Sequence, residues 1–413
     1  MVGMKSALVL GAGMAGVATA LALLDRGWTV TLMDRKAPGR ETSSGNAGII
    51  QAEAVEPYAM PRAVGDLLGI ALGRSNDVLY SFRELPFHVS SLLRYWWHSA
   101  PVRHRAAAAA WAALIVRATG RHAPLIERAG AGNLVRRGGF HMLFRSEAAL
   151  AEAADDARQK HAVYGTNFRT LTGAEMRQAE PALKQGGAGG IQWLDSWTVS
   201  DPGGLVAAYA ALFERGGGRF THGDAATLRR SGSGWTVDGA AGPVEAEHAV
   251  VTLGPWSTGM LRRFGHRFPM VHKRGYHAHY RAPQSLNGPV MDSDNGYLLL
   301  PMLAGTRITT GAHIARLDVP PAYLQLSRAE RAAGDLFALG PRIEDTPWQG
   351  TRPCMPDMLP VIGPSRREKG LWLNFGHGHQ GFTLGPASAE ALVAMMENET
   401  LPVDMRPFRP ERY

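Results

Sequence analysis

Three features of this 413-residue chain have the residue types and spacing for chemistry. The first is Gly11, Gly13 and Gly16, which fit G-x-G-x-x-G between the apolar run Ala7 to Leu10 and an Ala/Leu-rich segment closed by Gly27. The first glycine permits a tight turn, the second lets a pyrophosphate approach the backbone, and the third lets the helix pack on the strand. Met14 and Ala15 open that helix, where unpaired N–H groups and the positive end of the helix dipole face an anion. Asp34 ends the alternating run that follows, beside Arg35, and its carboxylate can accept hydrogen bonds from both hydroxyls of an adenosine ribose. The set predicts dinucleotide binding and does not separate NAD from FAD.

The second feature is Arg352. Pro353 holds it extended, so its planar fork of donors projects from a stiff backbone and matches a carboxylate bidentately. The competing reading is a structural arginine paired to Asp357 or to a main-chain carbonyl. The third feature is the strand Leu371 to Phe375 running into Gly376-His377-Gly378-His379-Gln380-Gly381 and a helix from Ala387 to Glu397. This loop again offers N–H groups at a helix start, as an anionic reduced flavin ring needs at the end remote from the adenine. That favours FAD over NAD. His377 and His379 have no evident third ligand in the sequence, so no metal site is assigned.

The elements that must position these groups follow from pattern. Apolar content of 45% and charge of 19% indicate a folded chain, and its length suits two joined domains. Strands are expected at Gly138 to Phe144, Arg219 to His222, Gly234 to Asp238, Glu247 to Leu253, His272 to Tyr280 and Tyr297 to Thr310. Helices are expected at Arg103 to Arg128, from Glu147 to near Ala162, after Asp201, and from Ser327 to near Leu339, with a capping box at Thr172–Glu175. Between Pro57 and Pro101 the chain reads as irregular, with short helical pieces. The return to β-α-β patterning after some two hundred residues suggests a nucleotide domain assembled from separated segments. The expected class is α/β plus α+β, a Rossmann-like FAD-binding domain with a second, antiparallel-sheet substrate domain. We place the former at 1–60, 190–268 and 345–398, the latter at 61–189 and 269–344, and a tail at 399–413.

The longest uninterrupted apolar segment, Ala106 to Val116, has eleven residues, against about twenty for a membrane span. The N-terminus enters a strand at once, which predicts no signal peptide, and the single Cys354 agrees with a reducing compartment. A cytoplasmic protein is expected. The net charge of +8 is uneven: His88 to Arg145 holds nine arginines and one acid, Glu127, together with Tyr95, Trp96 and Trp97. Such a surface either touches anionic lipid at the inner face of the cell membrane or an acidic electron-transfer partner, or is a solvated helix pair with its aromatics inward. No nucleic-acid module accompanies the charge, so no nucleic-acid partner is expected.

Taken together, LVLGAGMAG with Asp34, ETSSGNAGII, VVTLGPWS, KRGY, GTRPCMPDMLPVIG and LWLNFGHGHQGFTLGP resemble the D-amino-acid oxidase and dehydrogenase superfamily, above all the bacterial D-amino-acid dehydrogenase small-subunit type. The resemblance implies substrate held over the flavin, between the two domains. It implies that Arg352 binds the substrate carboxylate and that Ser43, Ser44, Gly45, Asn46 and Gly48 lie along the flavin and pyrophosphate. Ala226 would present its backbone to the adenine, Thr252 and Gly254 would join the cofactor set, and Gly378, Gly381 and Thr383 would sit by the pyrimidine end. Tyr276 and Tyr297 are the substrate-side candidates. The cysteine that carries flavin in related sarcosine oxidases aligns with Gly350, which implies non-covalent FAD. The stretch QAEAVEPYAMP departs from the dehydrogenase pattern, with Ala54 where a tyrosine is usual.

The implied reaction is oxidation of a carbon–nitrogen bond of a D-amino acid or a cyclic imino acid such as D-proline or cis-4-hydroxy-D-proline, with hydride passing from the α-carbon to flavin N5. A neutral amine makes a strong protein base unnecessary, and an apolar site lowers amine pKa. The electron acceptor is expected to be oxygen, a quinone or an electron-transfer protein. The alternatives are sarcosine- or glycine-oxidase-like amine oxidation, a flavin-bearing non-catalytic subunit of a larger complex, and an NAD-dependent dehydrogenase.

Overall fold

A computed structural model describes residues 5–413 except 64, 66–68, 70–75, 77 and 82. Those exceptions fall in the stretch expected to be irregular, so that part of the expectation lies outside the described residues. Among the described residues, eight strands form a first sheet in the order Gly242–Ala246, Gly234–Gly239, Arg219–Ser231, Thr29–Asp34, Ser6–Leu10, His248–Val251, Leu371–Phe375, Val361–Pro364. The five from Arg219–Ser231 to Leu371–Phe375 are mutually parallel, and the outer three pair antiparallel.

Side-chain parity builds the two layers around this sheet. Ala7, Val9, Val30, Leu32 and Val250 face one core with the helices Met14–Leu24, Pro202–Arg215 and Gly381–Met396, while Leu8, Leu10, Met33, Ala249 and Val251 face another with Trp235, Phe268 and Phe375. A parallel sheet covered on both faces reads as continuous apolar runs, as these strands do. Helix Met14–Leu24 packs so closely on its strand that a Cβ on Gly16 would fall 1.7 Å from the Gly11 carbonyl oxygen.

The second sheet runs Val78–Tyr80, Ala312–Ile314, Val271–Tyr280, Gly305–Thr310, Tyr297–Met302, Val290–Asp292, Phe140–Phe144, Gly189–Trp193, Phe168–Thr172, with Trp348–Cys354 also pairing Val271–Tyr280. It is mainly antiparallel; two of its pairings, Val78–Tyr80 with Ala312–Ile314 and Phe140–Phe144 with Val290–Asp292, are parallel. The domain boundaries shift accordingly. Gly189–Trp193 and Trp348–Cys354, assigned from sequence largely to the nucleotide domain, hydrogen-bond into the second sheet.

Three further expectations need correction. Tyr297 to Thr310 is a hairpin rather than one strand, because the chain reverses before Gly305 at φ +130°. Arg103 to Arg128 divides into Pro101–Ile115 and Ala118–Arg128, the first ending in a tightened turn with Arg117 N–H donating to the Leu114 carbonyl. The last long helix starts at Gly381 rather than Ala387; Pro386 sits inside it. The capping box is present as expected, with Thr172 and Glu175 exchanging side-chain and backbone hydrogen bonds.

Candidate active site

Five of the expected cofactor segments lie just beyond the carboxyl ends, or the parallel part, of the five parallel strands. Ser6–Leu10 delivers Gly11 and Gly13, Thr29–Asp34 delivers Asp34, Arg219–Ser231 carries Ala226 past its parallel part, His248–Val251 delivers Thr252 and Gly254, and Leu371–Phe375 delivers Gly378 and Gly381. Ligands of open parallel sheets bind at this edge. Here it opens into a continuous cavity of ≈ 2260 Å³, well above the roughly 300–1,000 Å³ usual for a small-ligand pocket. Gly11, Gly13, Met14, Ala15, Asp34, Arg35, Ser43, Gly45, Asn46, Ala226, Thr252, Gly254, Gly378, Gly381 and Arg352 all line it.

The backbone forms the cradle. Gly254 stands at φ +54° with open space where a Cβ would be, so any side chain there would protrude into the cavity. Ser43 Oγ accepts the Met14 N–H (3.0 Å), joining the Thr42–Gly45 turn to the helix start, and Thr252 Oγ1 donates to the carbonyls of Leu10 (2.8 Å) and Gly11 (2.9 Å). Asp34 Oδ2 accepts from Ala12 N–H (2.7 Å) and Oδ1 from Lys36 N–H (3.0 Å), which fixes the carboxylate at the strand end. Helix Met14–Leu24 has no acidic residue in its first turn to compete for an incoming phosphate. The residues present therefore fit an extended dinucleotide.

Arg352 shows the carbonyl pairing offered by its sequence, and its side chain also lines the cavity. Its Nη1 and Nη2 donate to the carbonyls of Gly311 (2.8 Å) and Thr310 (3.1 Å), while Asp357 is taken by Arg412. Two of five donors are thus used for aim, and the rest of the fork remains for a carboxylate in the cavity. Burial pulls the guanidinium below its ordinary pKa. Around it the cavity wall carries Tyr58, Tyr95, Lys273, Trp348 and His379. Tyr58 meets the His379 ring edge-on at 5.0 Å, and burial drives His379 well below the usual imidazole range. His377 Nε2 pairs with Ser388 Oγ (3.0 Å), and burial lowers its pKa to about 4.

Six expected site residues stand off the wall. Tyr276 is fully buried, its hydroxyl paired with His313 Nδ1 (2.7 Å) and accepting the Ala322 N–H (3.2 Å). Tyr297 is fully buried in an apolar cluster with Leu299 and Ile308. Strand parity is the reason: Lys273 and Gly275 face the cavity, so Tyr276 faces away, and Gly296 and Leu298 do the same to Tyr297. Gly16 serves helix–strand packing, Ser44 Oγ donates to the Glu41 carbonyl (2.8 Å), and a Cβ on Gly48 would fall 2.2 Å from the Val199 carbonyl oxygen. Thr383 lies in the first turn of its helix, donating to Gln380 Oε1 (2.8 Å) and accepting the Gln51 N–H (3.2 Å). Ala226 reaches the wall, but its N–H is given to Asp224 Oδ1 (2.9 Å). Sequence reasoning missed Tyr58 and Lys273. Parity would have found Lys273; Tyr58 follows Ala54 within the very stretch that departs from the family pattern.

The glycine-rich strand ends and Arg352 thus share the wall of one cavity. The chain belongs to the DAO family, described as FAD dependent oxidoreductase, which it matches over residues 6–395. It is 31% identical to a D-amino-acid oxidase of Bradyrhizobium diazoefficiens, covering 98% of both chains, and 30% identical to a D-amino acid dehydrogenase of Cereibacter sphaeroides, covering 98% of this chain and 95% of that one. Among solved structures, glycine oxidase from Geobacillus kaustophilus shares the fold with a TM-score of 0.74 at 21% identity, covering 99% of this chain and 98% of that one. The protein is an FAD-dependent amino-acid dehydrogenase or oxidase acting on carbon–nitrogen bonds. No helix among the described residues is long and apolar enough to cross a membrane.

Proposed function

We propose that the chain oxidises the α-carbon–nitrogen bond of D-amino acids or cyclic imino acids, with non-covalently held FAD. When bound, the flavin supplies the hydride acceptor, N5. Gly11, Gly13, Ser43, Asp34 and Gly254 hold the dinucleotide from the first sheet, and Gly378 and Gly381 lie toward the ring. Arg352 holds the substrate carboxylate, and the Thr310 and Gly311 carbonyls keep its fork from swinging, which orients the α-carbon. Tyr58, edge-on against the neutral His379, stands on the same wall, and the surroundings that lower the His379 pKa would likewise favour an uncharged amine without a dedicated base. Cys354 is buried, and burial raises its thiol pKa, which suits a bystander rather than a flavin link.

The observation that carries this reading is Arg352, aimed by two carbonyls into the cavity that also holds the glycine cradle. Its electron acceptor is read as a quinone or an electron-transfer protein. The helix Leu85–His98, which turns Val89, Leu93 and Trp97 outward, supports a peripheral hold on the inner face of the cell membrane. The test is anaerobic mixing of the yellow protein with D- and L-amino acids, D-proline and cis-4-hydroxy-D-proline while following the oxidised flavin band. Bleaching by D-compounds is expected. A flavin that no amino or imino acid bleaches would move the non-catalytic-subunit reading ahead.

A further inference from the structure

Lys273 and Arg352 stand directly opposite one another on the paired strands Val271–Tyr280 and Trp348–Cys354. Directly opposed residues on antiparallel strands have Cβ atoms roughly 4.5–5.5 Å apart, and like charges there repel. Both side chains line the cavity. Among the described residues neither has a carboxylate partner: Arg352 is held by two carbonyls, and Lys273 Nζ by Tyr95 Oη at 3.1 Å.

The two heads serve different walls. Arg352 folds over Gly275, where a Cβ would fall 2.7 Å from its Nη2, and reaches Thr310 and Gly311. Lys273 reaches toward helix Leu85–His98, its Nζ 4.3 Å from the centroid of the Tyr95 ring. Tyr95 in turn donates its hydroxyl proton to the Tyr58 carbonyl, which leaves the phenol oxygen to accept from the ammonium. The ring face and that oxygen both favour a charged lysine. Lys273 is only 8% exposed, and an ammonium has three donors to satisfy. Holding a buried ammonium beside a half-buried guanidinium without an anion is costly, so the pair suits an anionic ligand. Glu53, on the same cavity wall, does not supply that anion. Its oxygens accept from Gln51 Nε2 and Ser196 Oγ.

We infer that the preferred substrate is an amino- or imino-dicarboxylic acid, its α-carboxylate on Arg352 and its second carboxylate on Lys273. This rests on the amine-oxidation reading and adds the side-chain subsite that it lacks.

The test compares D-aspartate and D-glutamate with their amides, D-asparagine and D-glutamine, as reductants of the bound flavin in the wild type and in Lys273→Met. Lys273→Met removes an unpaired buried charge at similar volume, so it should fold and gain thermal stability in the absence of ligand. In the wild type the acids should half-saturate at concentrations at least about tenfold below those of the amides, as expected for a charge-assisted contact. In Lys273→Met that ratio should fall to near one. Binding without turnover supplies a second readout. Calorimetric titration with succinate and with butyrate should show a preference for succinate that the variant loses. Equal use of acid and amide by the wild type, or a preference that survives in Lys273→Met, overturns the inference while leaving amine oxidation intact. Failure of every amine to bleach the flavin would instead remove the reading on which it rests.

Discussion

At the scale of single residues, the chemistry depends on where a side chain's parity puts it. Arg352→Ala should fold and keep its flavin, but lower the bimolecular rate of flavin reduction by about a hundredfold or more, since a bidentate charge-assisted pair is lost. Arg352→Lys keeps the charge without the fork and should recover only part of that loss. Stopped-flow reduction under anaerobic conditions reads both. Gly254→Leu should place a side chain in the cavity from a left-handed backbone and yield protein deficient in FAD, read by the ratio of flavin to protein absorbance. The placement of Arg352 and the motif glycines Gly11 and Gly13 on the cavity wall was legible in the sequence, because a glycine motif and an Arg-Pro pair carry their geometry locally. The tyrosines were misread because type was considered without parity. In a strand, Lys273 and Gly275 on the cavity face exclude Tyr276 from it.

At the scale of elements, the aromatics of helix Leu85–His98 divide between the two readings of its surface: Tyr95 faces inward, and Trp96 and Trp97 face out. Leu85, Leu92 and Tyr95 do line the cavity, but Phe87, Val89, Leu93 and Trp97 are exposed, Trp97 at 55%. Arg103 stacks on Trp97 at 3.6 Å and Arg62 on Trp96 at 3.8 Å, and the chain from Leu85 to Ile126 contains no acid. An amphipathic, arginine-flanked apolar face of this kind suits the membrane contact proposed above. Co-sedimentation should show retention on vesicles containing phosphatidylglycerol and much less on pure phosphatidylcholine, with the paired change Leu93→Glu and Trp97→Glu abolishing it. Equal retention by both vesicle types would remove the electrostatic part of the argument. The central strands and the first crossover helix were legible from period and glycine placement. The pairing of Trp348–Cys354 with Val271–Tyr280 was not, because register between distant segments is fixed by the whole sheet and leaves no local mark.

At the scale of the whole molecule, buried neutral histidines make stability depend on pH. His122 is fully buried, paired with the Tyr209 hydroxyl and the carbonyls of Phe382 and Thr383, and burial lowers its pKa to about 4; His377 is lowered to about 4 by the same cause. An unfolded histidine titrates near 6.5, so between these values the unfolded chain holds more protons than the folded one. The stabilisation is complete above about pH 6.5 and is lost as pH falls toward 4, by about 3 kcal/mol for each such group. Calorimetry should show the melting temperature falling from pH 7 to 5, with uptake of at least about two protons on unfolding at pH 5.5. A flat profile would contradict the burial of these rings. The strand Trp348–Cys354 has a different consequence at this scale. Its Trp348 ring fills the space where a Cβ on Gly45 would stand at 1.8 Å, and Gly350 beneath the same ring allows that approach, while two residues further on Arg352 reaches into the cavity. One strand thus braces the turn at Gly45 at one end and, on the function proposed above, would grip the acid at the other. If occupancy of either end restricts the same strand, the two ligands are thermodynamically linked: whatever factor an acid adds to the affinity for the dinucleotide, the dinucleotide returns to the acid.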